Sequence, residues 1–265
     1  MKRIILYLLK LPAGKVWFQR MYEITFRLSL NGMNYGNGGE FKESGELNAM
    51  KYIKEKLKSE KDITLFDVGA NVGNYSKALN ELFGDSATIH SFEPSKKTFE
   101  RLVQTTSAIP KIISNNFGLS DKEGSLLLYT DKEGSGLASL YQREIEHHGI
   151  SMSQSEEIKL STIDSYCKNG NINRIHFLKL DIEGNEFNAL KGAAQMINNK
   201  KIDFIQFEFG GCNIDSRIYF KDFFFLLQDN YRIYRIVKDG VYEIPIYNET
   251  YEIFLNINYL AAKRN

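Results

Sequence analysis

The stretch that decides the fold is "LFDVGANVGNYS", residues 65–76. It opens with apolar residues typical of a buried strand, passes through a turn with two glycines, and ends in residues that favour the start of a helix. Backbone amides at such a helix start bind the anionic groups of nucleotides. The stretch therefore predicts a nucleotide-binding α/β fold, and the spacing of its glycines indicates which nucleotide.

The glycine pattern excludes two common nucleotide loops. A P-loop needs a lysine after its last glycine, and Asn74 follows Gly73 here. The GxGxxG fingerprint of dinucleotide-binding proteins needs a glycine where Asn71 stands, because the backbone must approach a pyrophosphate there. The pattern is instead DxGxxxG on Asp67, Gly69 and Gly73, so we expect a ligand without a pyrophosphate at this turn. An NAD-dependent enzyme is a weaker alternative.

An acidic residue closes the strand that follows this turn. The strand is "ATIHSFE", and its last residue is Glu93. A carboxylate at that place accepts hydrogen bonds from the hydroxyls of a ribose. The alternative role of Glu93 is to cap the helix that begins near Pro94. A ribose without a pyrophosphate suggests S-adenosylmethionine (SAM) as the cofactor.

Alternating strand-like and helix-like stretches continue along the chain from about residue 45. "IHFLKLD" (175–181) is a predicted buried strand, "IDFIQFEF" (202–209) is a further predicted strand, and "EFNALKGAAQMI" (186–197) predicts a single helix. The pattern predicts a mostly parallel sheet with helices on both faces. The closing strands "YRIYRIV" (231–237) and "YEIFLNINYLAA" (251–262) have no helix between them, which predicts an antiparallel C-terminal edge.

Two segments interrupt or precede this pattern. Residues 1–43 form a predicted helical N-terminal extension, and residues 44–265 form the main domain. Within that domain, residues 121–157 are a predicted insert, in which "SLLLYT" reads as a β-hairpin arm. The rest of the insert lacks periodicity, and we expect residues 134–155 to act as a lid over the acceptor.

Several motifs together resemble one known family. In chain order they are "SGE" (44–46), "DVGANVGNYS" (67–76), "SFEP" (91–94), "GLSDKEG" (118–124), "LKLDIEGNEFNALKGA" (178–193) and a late strand ending in Glu208. In residue type and order they resemble the FkbM family of methyltransferases, over residues 44–262. The resemblance implies a Rossmann-like class I methyltransferase fold and SAM-dependent methyl transfer, usually to a hydroxyl oxygen of a sugar, glycan or natural product. A module that binds SAM without turnover is the alternative.

The resemblance and the position of each residue predict a cofactor site. Asp67 is expected to reach the α-amino group of SAM, and residues 116–118 are expected to flank the adenine. Asp181, at the end of a strand, is expected to contact the methionyl amine or the acceptor. The predicted cofactor-binding residues are Asp67, Gly69, Asn71, Gly73, Asn74, Glu93, Pro94, Asn116, Phe117, Gly118 and Asp181.

A hydroxyl acceptor must lose its proton, so a base or a metal ion is needed. The predicted catalytic residues are Asp181, Glu183, Glu208 and His148. Glu186 is expected to orient the acceptor or to cap the following helix. A divalent-metal site formed by these acidic residues is a further alternative. We nevertheless predict transfer without a metal, because no histidine lies beside them in the sequence.

The composition of the chain limits the classes of binding partner and the cellular compartment that we expect. The 34 basic and 33 acidic residues give a formal net charge of +1, which argues against a nucleic-acid partner and leaves a small-molecule or carbohydrate acceptor. The chain has two cysteines outside any CxxC pair, so we expect reduced thiols in a cytoplasmic protein.

The N-terminal stretch "MKRIILYLLKLPAGKVWF" (1–18) contains a short apolar run after two basic residues. The run is shorter than the core of a typical signal peptide and too short to span a bilayer, so no transmembrane segment is predicted. We favour a helix packed on the main domain, or on a second subunit of a possible homo-oligomer. A helix resting on a membrane surface is the alternative.

Overall fold

The computed structural model of the chain describes residues 12–37, 41 and 43–264. The strands are β1 (Ile63–Val68), β2 (Ala87–Phe92), β3 (Ile112–Asn115), β4 (Gly118–Leu119), β5 (Gly124–Thr130), β6 (Gln154–Ser161), β7 (Ile175–Leu180), β8 (Ile202–Phe209), β9 (Tyr231–Val237), β10 (Gly240–Ile244) and β11 (Ile257–Lys263). The α-helices are α1 (Gln19–Gly32), α2 (Glu46–Lys56), α3 (Asn74–Phe83), α4 (Lys96–Thr106), α5 (Ile163–Asn169), α6 (Glu186–Lys191), α7 (Ala194–Asn198), α8 (Cys212–Ser216) and α9 (Phe220–Leu227).

Eight strands form the central sheet, in the order β10-β9-β11-β8-β7-β1-β2-β3. The five strands from β8 to β3 are parallel, whereas β11, β9 and β10 are antiparallel to their neighbours. The predicted mostly parallel sheet with an antiparallel C-terminal edge is therefore confirmed. The order reverses at β1, which has β2 on one side and β7 on the other. Ligands of such sheets bind at the carboxyl ends of the strands beside this point.

The sheet is covered on both faces. Neighbouring residues of a strand point to opposite faces, so Leu65 and Phe66 enter separate cores. Leu65 packs in the cluster that also holds Phe177, and Phe66 packs in the cluster that also holds Leu178. Every residue of β7 and of β8 is buried, including the polar residues that interrupt their apolar sequences, His176, Lys179, Asp203, Gln206 and Glu208.

The single helix predicted for residues 186–197 is wrong, because the structure has two helices there, α6 and α7. The break falls at Gly192 and Ala193. A Cβ atom on Gly192 would lie 2.0 Å from the carbonyl oxygen of Ser120, so the chain passes very close to the residue after β4. The carbonyl of Gly192 also accepts a hydrogen bond from the backbone N–H of Asp164, at 2.9 Å. These contacts hold the segment in place and end the first helix.

The insert contains a hairpin with a long excursion. Strand β5 pairs antiparallel with β6, from Gly124 opposite Leu160 to Thr130 opposite Gln154. With β4 they form a second, three-stranded sheet in the order β4-β6-β5. Residues 131–153 leave the end of this hairpin and fold back on it, where the backbones of Tyr129 and Ser139 exchange two hydrogen bonds.

The N-terminal extension contacts the main domain mainly at its far end. In α1 the only buried residue is Leu30. The side-chain amide of Asn34 donates to the carbonyls of Ser44 and Ile236, and the N–H of Gly36 donates to the carbonyl of Asn256. Packing on the main domain is thus confined, among the described residues, to the end of the extension. Residues 1–11, where the predicted apolar run lies, are outside the described residues.

None of the helices in the described ranges is both long and apolar enough to cross a membrane.

Candidate functional site

A cleft opens at the carboxyl edge of the sheet. Loops after β1, β2 and β7 form one part of its wall, with Gly69, Asn71, Glu93, Pro94, Asp181 and Glu183. The insert and the second sheet supply a largely apolar part, with Leu128, Gly136, Ala138, Leu140, Ile158 and Leu160.

The turn after β1 fits closely against its neighbours. Gly69 has a φ of +84°, and a Cβ atom there would lie 1.8 Å from the carbonyl oxygen of Asp181. The N–H groups of Gly69 and Ala70 both donate to the carbonyl of Phe92, at 3.0 Å. The turn is therefore held between the end of β2 and the start of the loop after β7. Only glycine fits at position 69, because it combines a left-handed backbone with that close approach.

Glu93 joins this turn to the next helix. Its Oε2 accepts from the N–H of Asn71 at 3.0 Å, and its Oε1 accepts from the N–H of Ser95 at 2.9 Å. Burial raises its pKa to about 7. The contact with Ser95 matches the helix-cap alternative. Each carboxylate oxygen has a second lone pair, so Glu93 still accepts hydrogen bonds from a ligand in the cleft that it lines.

Asp67 lies outside the lining of the cleft. It is fully buried and accepts from the hydroxyl of Ser76 at 2.5 Å. Its Oδ1 has no hydrogen bond partner and lies 3.6 Å from the ammonium nitrogen of Lys179, which is 3.0 Å from a carboxylate oxygen of Asp181. Burial lowers the pKa of Lys179, but Asp181, Asp67 and Glu46 outweigh this and raise it. Lys179 therefore stays charged and links β1 to the end of β7.

Glu183, in the part of the wall formed by the loop after β7, pairs with a residue of the insert. Its Oε2 lies 2.6 Å from a guanidinium nitrogen of Arg143, and its backbone carbonyl accepts from the hydroxyl of Ser139 at 2.6 Å. Burial raises the pKa of Glu183 to about 8, the Asp181 carboxylate adds to this, and Arg143 opposes it. The Nε of Arg143 lies 3.5 Å from Asp215. The insert is thereby fixed to the loop after β7 at the cleft.

Glu186 shapes that loop from inside. It is fully buried, and its carboxylate accepts from the backbone N–H groups of Ile182, at 2.8 Å, and Gly184, at 3.0 Å. Burial raises its pKa to about 7. The side-chain amide of Asn185 donates to the carbonyl of Leu119 at 3.0 Å. Glu186 therefore organises the loop that precedes α6 and does not line the cleft.

Glu208 and Cys212 lie behind Glu183. Ligand atoms of these three residues lie within 4.8 Å of one another. Glu208 is buried. Burial raises the pKa of Glu208 and that of the Cys212 thiol well above their usual values. Sequence spacing did not indicate that Cys212 joins the acidic residues.

Some predicted site residues do not line the cleft. Asn116 is exposed and donates to the carbonyls of Glu93 and Pro94, so it supports the wall from outside. Phe117 packs against Phe92, with ring centroids 5.6 Å apart. His148 is exposed, at the end of a short 3₁₀ helix. The predicted residues outside the lining are Asp67, Gly73, Asn74, Asn116, Phe117, His148 and Glu208.

Two residues that the sequence analysis missed contribute to the site. Lys179 had a signal, because it is the one charged residue inside the strand "IHFLKL", which is otherwise apolar apart from His176. No sequence pattern indicated Arg143, because it lies in a segment without periodicity. Only the folding back of residues 131–153 brings it to Glu183.

Comparisons with known proteins all point to methyltransferases. A sequence model described as the Methyltransferase FkbM domain matches residues 67–235. A protein named Hexuronic acid methyltransferase AglP, from Haloferax volcanii, is 29% identical over 158 residues, which cover 58% of this chain and 60% of that protein. Methyltransferase 1 from Beauveria bassiana is 25% identical over 146 residues, which cover 49% of this chain and 58% of that protein.

The chain thus spans about three fifths of the length of the curated relatives it matches. A crystal structure of Methyltransferase FkbM from Methylobacillus flagellatus KT is 14% identical and has a TM-score of 0.45. The match covers 76% of this chain and 43% of that chain.

Proposed function

The chain belongs to the FkbM methyltransferase family, and on that premise we propose that it transfers a methyl group from SAM to an oxygen atom of a sugar or glycan acceptor. The sugar class is supported by the relative named as a hexuronic acid methyltransferase. In this proposal the enzyme acts in the cytoplasm, where its two unpaired thiols stay reduced.

The observation that carries the proposal is that a single cleft brings Glu93 and Gly69 together with Asp181 and Glu183. The residues present fit SAM. Glu93 would accept from the ribose hydroxyls, and the turn that contains Gly69 and Asn71 would lie against the methionine part. The apolar part of the wall, from the insert and the second sheet, suits an adenine ring.

SAM supplies a methyl group on a sulfonium centre, which leaves the protein to position the acceptor and to take its proton. We assign Glu183 as the base that takes the proton of the acceptor, because this carboxylate lines the cleft and Arg143 fixes it in place. The second neighbour, Asp181, is partly exposed and paired with Lys179. His148 lies outside the cleft lining and is exposed, so its predicted role as a base finds no support in the geometry.

The test has two parts. Calorimetry should show that S-adenosylhomocysteine binds and that NAD does not. Incubation with SAM and a panel of neutral sugars, uronic acids and glycan extracts should then release S-adenosylhomocysteine with one class of acceptor. Tighter binding of NAD would contradict the proposal. Binding of SAM without turnover on any acceptor would favour the module without catalysis.

Glu93→Ala should weaken S-adenosylhomocysteine binding about tenfold or more. The reason is the loss of hydrogen bonds from ribose hydroxyls to a charged group, worth about 1.5–3 kcal/mol. Glu157→Ala is the matched control, because Glu157 is an exposed glutamate on β6. Thermal unfolding of both variants checks the fold, since Glu93 also binds the backbone at Asn71 and Ser95. An unchanged Kd would leave Glu93 as a helix cap only.

A further inference from the structure

An apolar stripe runs along the exposed N-terminal helix. Trp17 lies in the short 3₁₀ helix Val16–Phe18 that leads into α1, and Met21, Ile24 and Leu28 follow at spacings of four, three and four residues. That spacing places all four on one side of a helix. Their exposed fractions are 94%, 47%, 51% and 68%. We call these four residues the α1 stripe.

The stripe needs a partner. A helix of 14 residues is marginal in water without packing, and Leu30 is the only residue of α1 that is buried. Val16, at 84% exposure, adjoins Trp17 and extends the apolar surface, whereas Phe26, at 60% exposure, lies on the opposite side of α1 and outside the stripe. Contiguous exposed apolar surface rimmed by polar residues marks an interaction site.

The charge around the stripe indicates what kind of partner it meets. Within residues 12–37 the basic residues are Lys15, Arg20 and Arg27, and the single acidic residue is Glu23. In the sequence, residues 1–33 hold six basic residues and one acidic residue, a net charge of +5. Because the whole chain has a net charge of +1, the remaining residues carry −4.

This asymmetry separates a lipid surface from a second copy. A symmetric dimer through the stripe would bring Arg20 and Arg27 of one copy close to the same basic segment of the other, and like charges repel. An anionic bilayer instead attracts every one of these cations. Tryptophan at the end of the stripe also favours a membrane interface, where aromatic rings with one polar edge collect.

We propose that the α1 stripe docks on an anionic lipid surface. The four apolar side chains enter the boundary between headgroups and acyl chains, while Lys15, Arg20 and Arg27 contact lipid phosphates. The helix remains attached to the catalytic domain through Asn34 and Gly36. The surface is separate from the cleft, and the inference does not depend on which acceptor is methylated.

Fluorescence offers a direct test, because Trp17 is the only tryptophan of the chain. The full chain is titrated with vesicles of phosphatidylcholine alone and with vesicles that also contain phosphatidylserine. We expect a blue shift of the emission and co-sedimentation with the anionic vesicles only, reversed by high salt. Equal binding to both kinds of vesicle, or no shift with either, would overturn the proposal.

Variants separate the two parts of the surface. Replacing both Ile24 and Leu28 by Glu should abolish binding, and replacing Arg20 and Arg27 by Gln should weaken it roughly tenfold or more. Ile246→Glu is the matched control, because Ile246 is apolar, 76% exposed and outside α1. All variants should keep the unfolding midpoint and the S-adenosylhomocysteine affinity. If Ile246→Glu weakens vesicle binding as much as the stripe variant, the stripe is not the docking site.

The remaining alternative is that a second copy of the protein covers the α1 stripe. Sedimentation of the protein without lipid should give the mass of a monomer at the concentrations used for the titration. A dimer whose formation shifts the emission of Trp17, and which the stripe variant abolishes, would show that a second copy covers the stripe and would overturn the lipid proposal.

Discussion

At the wall of the cleft, two opposing effects set the charge of Glu183. Burial favours its neutral form and raises its pKa to about 8, whereas the guanidinium of Arg143, 2.6 Å away, favours the carboxylate. A base works best when its pKa lies near the working pH. The pair therefore gives Glu183 a pKa suited to accepting a proton from a hydroxyl group.

The rate of methyl transfer should rise with pH, with a midpoint near 8, as Glu183 loses its proton. Arg143→Gln removes a cation that favours the carboxylate, so its midpoint should move to higher pH. Single-turnover rates at saturating SAM measure this. Arg174→Gln is the control, since Arg174 pairs with Glu60 and Asp203 outside the cleft lining. A midpoint that moves down in Arg143→Gln would show that another group is the base.

Chelation should leave the activity unchanged. The three atoms that approach one another belong to Glu183, which is ion-paired with Arg143, and to Glu208 and Cys212, whose pKa values burial raises well above their usual values. Such a group attracts Mg²⁺ weakly, because Mg²⁺ prefers charged oxygen ligands. The rate is measured after EDTA treatment and after adding Mg²⁺. Loss with EDTA and recovery with Mg²⁺ would make this cluster a metal site.

At the scale of secondary-structure elements, prediction from the sequence succeeds where a single local pattern identifies the element. The residues of β7 and β8 predict strands without further information. The motifs that follow β2 and β7 place Glu93 and Asp181 at the carboxyl edge of the sheet. Strand β10 was not predicted, although Asp239 and Gly240 signal a hairpin turn, because an exposed edge strand has a mixed polarity pattern. The break at Gly192 depends on a contact with Ser120 that no local pattern contains.

The insert gives a prediction at this scale. Thr130 and Gln154 already pair across the hairpin, so residues 131–153 can be replaced by Asn-Gly, which suits a two-residue turn. We expect the fold to survive and S-adenosylhomocysteine to bind more weakly but still measurably, because Gly69, Glu93 and Gly118 lie outside the excised segment whereas Gly136 and Ala138 of the apolar wall lie inside it. Methyl transfer should be lost together with Arg143.

Three measurements check this variant: calorimetry with S-adenosylhomocysteine, the transfer rate, and the unfolding midpoint. Arg143→Gln in the full chain is the comparison, since it removes the ion pair but keeps the covering segment. Equal loss of cofactor binding and of transfer in the excised variant would instead assign the segment to the cofactor site.

At the scale of the whole molecule, the cleft lies where the strand order reverses. The loops after β1 and β2 supply Gly69 and Glu93, the loop after β7 supplies Asp181 and Glu183, and the buried Lys179 links β1 to β7. The sequence predicts which strand ends meet, because their order along the chain fixes that. It does not predict that Asp67 points inward while Glu183 faces the cleft, since packing around each side chain decides this.

Because the cleft draws on both sides of this reversal, a bound ligand should stabilise the folded domain as a whole. At a free concentration one hundred times its Kd, S-adenosylhomocysteine should add about 2.7 kcal/mol to the free energy of unfolding. For a chain of this size, that raises the midpoint of thermal unfolding by about 5–10 °C. NAD at the same concentration should leave the midpoint unchanged, and Glu93→Ala should need a proportionally higher ligand concentration for the same rise. Scanning calorimetry at several ligand concentrations measures the shift. A midpoint that stays constant with S-adenosylhomocysteine but rises with NAD would remove the SAM assignment, because only binding to the folded state produces such a shift.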